Sequence, residues 1–130
     1  MKREELTRLL KAPHPAAHKS FARHDLSGMQ LCGIDFERAI LRRADLSRSD
    51  LSSAHLREAR MERANLSGAN LSDADLRDAH LQGANLSYAY MKGVNLKGAD
   101  LRGANLIGAN LIGVDLSPAQ REVLAAQTNQ

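Results

Sequence analysis

The sequence predicts an all-β solenoid, a chain that turns a corner after every fifth residue. Three observations predict it. From Ala64 to Asp115 a small residue, then Asn or Asp, then Leu, then two variable residues recur, departing only at His80, Tyr90 and Met91. From Phe21 to Leu116 every fifth position holds Phe, Leu or Met. Aromatic residues are only 3% of the 130 residues and Trp is absent, so Leu and Ala must build most of the interior. An interior of that kind is regular and narrow, unlike the irregular core of a globule.

A period of five suits neither standard element. On a helix of about 3.6 residues per turn, leucines five apart advance by roughly 140° and spiral around every side. In one long strand they alternate faces, because five is odd. A corner after each pentad removes the conflict. The large apolar centre and the small residue two places before it then point inward, and the other three positions point out. Each pentad buries its apolar side by stacking on its neighbours.

The elements follow in order. Residues 1–18 are expected to form an N-terminal helical cap and linker. Arg3 to Lys11 places Leu6, Leu9 and Leu10 on one helical face, and Pro13 and Pro15 stop the helix. Residues 14–20 lead into the repeat, which spans 19–117. Its first pentads are degenerate: Lys19, His24, Met29 and Ile34 stand where Ala stands later. Asn and Asp before each centre suit a turning backbone, because their side chains bond nearby main-chain groups. Glycines such as Gly83, Gly93 and Gly103 ease the corners. Residues 118–130 are expected to be a C-terminal helical cap, with Ser117 as N-cap, Pro118 at the first helical position and Gln120 three after the cap. Val123 and Leu124 would cover the last coil, as solenoid ends need covering to suppress open-ended stacking.

The pattern of Ala, Asn or Asp, Leu and two variable residues resembles the pentapeptide-repeat family, over about residues 19–118. The resemblance implies a right-handed quadrilateral β-helix with four pentads per coil. The chain would then make about five coils, a rod roughly 24 Å long at ~4.8 Å per coil.

On that plan residues twenty apart share a face. Arg23, Arg43 and Arg63 form one column, Arg42 and Arg102 lie in the next, and Arg60 lies beside them. This basic strip reads either as a site for an acidic partner or nucleic acid, or as a solvated face balanced by Glu62 and nearby acids. A second face stacks Glu37, Arg57, Arg77 and Lys97 beside Arg38, Glu58 and Asp78, which reads as a surface ion-pair ladder. Ser27, Ser47, Ser67 and Ser87 form a polar column. Near the C-terminus Tyr88, Tyr90, Ile107 and Ile112 occupy outward positions. A cluster of that kind marks a contact. With Val123 and Leu124 it is expected either to dock the C-terminal helix or to form a homodimer patch, the latter resembling how several family members pair.

Composition bounds the function. Net charge is +3 and the pI about 9.4, a mild basicity that does not by itself imply nucleic-acid binding. One cysteine, Cys32, leaves no internal disulfide and fits a reducing compartment, so a cytoplasmic location is expected. No apolar run reaches the ~20 residues of a membrane span, and no secretory signal is expected from Lys2, Arg3, Glu4 and Glu5. His14, His18, His24, His55 and His80 have no metal-site spacing, Cys32 has no His and acid at nucleophile spacing, and no phosphate-binding loop is present. No cofactor or metal is therefore expected, and no catalysis. The leading reading is a rigid scaffold that binds another protein, as yet unidentified. A second, implied by the resemblance, is a DNA-mimicking protein that binds gyrase or topoisomerase IV and protects against quinolones. Such mimicry needs negative potential, which the arginines and the net charge oppose. A third is direct nucleic-acid binding through the arginine strip, without the interleaved aromatics that single strands favour.

Overall fold

Each pentad ends in the same corner. The computed structural model describes residues 3–11 and 16–128, with the side chains of Glu5, Leu9 and Thr128 outside that description. From Ala16 onward the N–H two places before each centre donates back to the preceding centre's carbonyl, as Ala64 does to Met61 at 3.0 Å. The third residue of each such turn has positive φ, between 55° at Arg48 and 76° at Gly113, and among the described residues no other position does. These are type II turns, in which the third residue must be left-handed.

Between corners the sides pair in parallel at a register of twenty, from Ser20↔Ile40 to Tyr90↔Asn110. Four corners therefore close each coil. Each side is too short for an extended strand and carries a single bridge. The Leu66 N–H donates to the Asn85 carbonyl at 2.7 Å, and the Asn85 N–H to the Ala64 carbonyl at 2.9 Å. The same pair of bonds recurs around the rod, so the backbone is satisfied by stacking.

The expected inward positions are inward. The centres from Phe21 to Leu106 and the alanines two places before them, from Ala39 to Ala104, are buried. Ser49, which replaces an alanine, is also buried, and its hydroxyl donates to the Leu46 carbonyl at 2.7 Å. Asn and Asp hold the corners from outside. Asp50 Oδ1 accepts from the Ser52 N–H at 3.0 Å and its hydroxyl at 2.6 Å, and one coil later Asn70 Oδ1 does the same for Ser72 at 3.0 and 2.7 Å.

The solenoid starts earlier than the sequence indicates. Ala16 is a buried centre and the His18 N–H already donates to the Glu37 carbonyl at 2.9 Å, so residues 16–20 are coil and not linker. Alanine at a centre hid this pentad, because a small residue there breaks the run of large apolar centres; the helix α1 (Arg3–Lys11) precedes it. Leu6 of α1 is buried and Leu10 partly buried against the core, while the expectation for the Leu9 side chain lies outside the described residues. The Arg3 guanidinium donates to the Ser27 carbonyl and, at 3.4 Å, to the Asp25 carbonyl.

At the other end α2 (Pro118–Thr128) starts where the sequence places it. Its N-terminus is a reciprocal cap: the Gln120 N–H donates to Ser117 Oγ at 3.2 Å, and the Ser117 N–H to Gln120 Oε1 at 2.9 Å. Two glutamines of α2 then substitute for the missing next coil. Gln120 Nε2 donates to the carbonyls of Leu96 and Ala99 at 2.8 and 3.0 Å. Gln127 Nε2 donates to the Ala104 carbonyl at 2.8 Å, and its Oε1 accepts from the Leu106 N–H at 2.6 Å. That side-chain amide supplies the donor and acceptor that a further coil's peptide would supply. Each such group left bare costs about 1–3 kcal/mol.

Candidate functional site

The interior is filled by the leucine and alanine columns, so any site must lie on the surface. A groove of about 490 Å³ beside α2 is lined by Lys97 and Asp115 as its charged groups, with Gly98, Leu116, Ser117 and Gln120. A neighbouring one of about 330 Å³ carries Asp100 and Arg102, which are bonded to each other. Among the described residues no group of His, Cys, Asp and Glu is placed to hold a metal, and His14 lies outside them. Cys32 is exposed, and its sulfur is 3.3 Å from the Ser52 hydroxyl.

The structure divides the arginine strip in two. Arg42 donates from Nε to Glu62 Oε2 at 2.9 Å, one coil up. Arg102 is bound bidentately to Asp100, at 2.9 and 2.5 Å. These two are neutralised. Arg23, Arg43, Arg60 and Arg63 have no side-chain hydrogen bond or ion pair among the described residues. Arg23, Arg43 and Arg63 occupy successive corners of one column, at φ 62°, 56° and 58°. The column continues as Gly83 and Gly103, and a Cβ built at Gly83 would lie 3.2 Å from Arg63 Cγ. The Arg63 side chain therefore leans over the next coil. Arg48, at the far corner of the serine face, is likewise unpaired and leans over Gly68. Nothing in the sequence pattern singles out Arg48, because alternating with Gly28 and Gly68 it forms no run of charge.

The expected ion-pair ladder forms in part. Arg38 reaches Glu58 across one coil at 2.6 Å, and Arg77 binds Asp75 within its own pentad at 2.7 Å. Hydrogen bonds from Arg38, Arg77 and Arg102 hold the carboxyls of Glu58, Asp75 and Asp100 below their ordinary range and raise the arginines in turn. The hydroxyls of Ser27 and Ser52 lower Asp25 and Asp50 in the same way.

The apolar group also divides. Val123 and Leu124 are partly buried against the core beneath α2. Tyr88, Tyr90, Ile107 and Ile112 are 66%, 58%, 52% and 66% exposed, so α2 leaves them open. They line one side of the last coils and the two corners that bound it: Tyr88 and Ile107 at one, Ile112 at the next, with Tyr90 between. The Tyr88 ring lies over Gly108, where an added Cβ would come within 2.5 Å of it. Beside them the ladder has an open rung: the Ala109 carbonyl and Leu111 N–H have no partner among the described residues, whereas Gln127 engages the equivalent Ala104 and Leu106 groups.

The coil geometry and the period of five coincide with a known repeat. The family model for pentapeptide repeats matches residues 21–57, 44–83 and 79–117, in eight copies. The chain belongs to the pentapeptide-repeat family. A pentapeptide-repeat protein from the Arabidopsis thaliana thylakoid lumen superposes on this pentapeptide-repeat chain with a TM-score of 0.82 at 30% identity, covering 85% of this chain and 77% of that one. A second, Rfr23 from the cyanobacterium Cyanothece 51142, is 38% identical over 63% of this chain and 60% of its own, with a TM-score of 0.49. The family and its thylakoid-lumen member imply a right-handed quadrilateral β-helix for the chain described here. QnrB1, a plasmid-mediated fluoroquinolone resistance protein, covers 88% of the chain and 95% of its own at 19% identity and a TM-score of 0.19, which supports no transfer of function. No curated protein matches the chain. Among the described residues no helix is long and apolar enough to cross a membrane.

Proposed function

We propose that this protein is a non-enzymatic interaction module: a rigid rod of about five coils, roughly 24 Å long at ~4.8 Å per coil, that binds proteins through its outer faces and pairs with a second copy through its C-terminal end. The observation that carries the reading is the C-terminal patch of Tyr88, Tyr90, Ile107 and Ile112, exposed beside an open rung of the ladder. Exposed large apolar side chains grouped at one place mark a contact surface. The rung is self-complementary. Around a two-fold axis the Leu111 N–H of each copy can donate to the Ala109 carbonyl of the other, an antiparallel pair centred on Asn110. A filled interior and shallow faces offer no water-excluding cleft for catalysis. One exposed free thiol fits a reducing compartment such as the cytoplasm.

Gyrase binding by DNA mimicry would need a negative rod. The net charge of +3 and the unpaired arginine column oppose it, and inhibition of purified gyrase supercoiling would be the result in its favour. Light scattering tests the pairing. The wild type is expected to be a dimer at about 100 µM, and Ile107→Asp with Ile112→Asp a folded monomer. A monomeric wild type refutes the proposal.

A further inference from the structure

We propose that the corner column of Arg23, Arg43 and Arg63 binds an acidic α-helix of a partner protein, one carboxylate per arginine. The inference rests on the reading of the rod as a binding module, and uses a surface separate from the C-terminal patch. These three arginines are without ion pairs among the described residues, although Arg42 beside them takes Glu62 and Arg38 on the neighbouring corner takes Glu58. They sit at corners whose backbone is left-handed and favours glycine, and Gly83 and Gly103 fill the two corners that follow. Nothing in the fold requires arginine there.

The spacing selects the ligand. Successive coils lie about 4.8 Å apart, so the three arginines span roughly 10 Å. Carboxylates at i, i+4 and i+7 of a helix rise about 10.5 Å, with about 5–6 Å between neighbours. The match is one carboxylate to each guanidinium, the geometry in which arginine binds most strongly. A DNA duplex fits less well. It carries about one negative charge per 1.7 Å, or some six along the same length. Asp45 beside the column would face the surplus phosphates, while Glu62 is already paired with Arg42.

The test uses fluorescence anisotropy on the full chain. The probe is a labelled alanine-based helix of about 18 residues with glutamates along one face. A peptide of the same composition with scrambled glutamates and a duplex of about 20 base pairs are the comparisons. The charge-removing variant is Arg43→Gly with Arg63→Gly, which keeps the fold because glycine already occupies the same column at 83 and 103. The wild type is expected to bind the one-faced helix at least about tenfold more tightly than the variant does, and more weakly as salt rises from about 50 to 300 mM. Dimerisation should be the same for both proteins, so failure here leaves the C-terminal pairing untouched. Equal binding by wild type and variant, equal binding of the scrambled peptide, or no binding overturns the proposal. Tighter, arginine-dependent binding of the duplex overturns it in favour of nucleic acid.

Discussion

The N-terminal half of the rod, from Ala16 to Arg63, and the C-terminal half, from Ala64 to Asp115, share a backbone and differ in what decorates it. Of the ten corners from His18 to Arg63 two are glycine, and of the ten from Gly68 to Gly113 seven are. Aspartate dominates the turn-holding position early, at Asp25, Asp35, Asp45 and Asp50, and asparagine later, at Asn85, Asn95, Asn105 and Asn110. The first pentads bring Met29 and Ile34 inward beside α1, and the later ones bring mostly alanine. The ladder is indifferent to all of this. Leu46 donates to Asn65 and Leu86 to Asn105 at the same 2.7 Å. Stacking dictates the corner, and a side chain at a corner bears a local cost of about 1–2 kcal/mol relative to glycine. The N-terminal half carries charge at that cost. The C-terminal half is smoother and exposes apolar groups.

The comparison breaks most visibly if the halves unfold apart. Leu46→Ala and Leu86→Ala remove equivalent buried centres and should each destabilise the rod by about 2–5 kcal/mol in a single transition. Chemical denaturation followed by circular dichroism reads this, and two transitions in either variant would mean that the halves are separate cooperative units. Exchanging the corners is a finer test. Arg43→Gly should stabilise the chain by about 1 kcal/mol and Gly103→Ala destabilise it by a similar amount. The Gly103 site has room, since its Cβ would meet the Gly83 nitrogen at 3.6 Å, so φ alone is probed. Equal and opposite shifts in melting temperature are the expected outcome.

The smallest effect separates aspartate from asparagine. Ser52 holds the Asp50 carboxyl below its unfolded value of 3.8. The stabilisation from Asp50 is therefore present above that pH and disappears as pH falls through the lower folded value. Asn70 makes the same bonds and does not titrate. Asp50→Asn should change stability at pH 7 by less than about 0.5 kcal/mol and reduce the loss of stability between about pH 4 and pH 2. An unchanged acid limb in thermal melts would show that Asp50 takes no part in it.

Much of this was legible in the residues. A period of five with Phe, Leu or Met at the centres from 21 to 116 excludes a helix and a long strand, and the two helices fall at Arg3–Lys11 and Pro118–Thr128, as propensity and capping place them. The buried set could also be read, because inward positions recur with the pentad. Ala16 could not, since a small centre carries no periodic signal. Nor could the ends of the ladder: Gln120 and Gln127 are ordinary helix residues until a bare carbonyl lies within reach of their amides.

Sequence alone determined the repeat, the inward columns and the two caps, because each depends on local spacing and on which side chains avoid water. Only the tertiary structure decided which arginines are neutralised, whether α2 covers Ile107 and Ile112, and which rungs stay open. Those outcomes depend on neighbours twenty residues away, where Glu62 stands above Arg42 and Gly83 follows Arg63. The coil brings such pairs together, and the one-dimensional pattern records them only as variable positions.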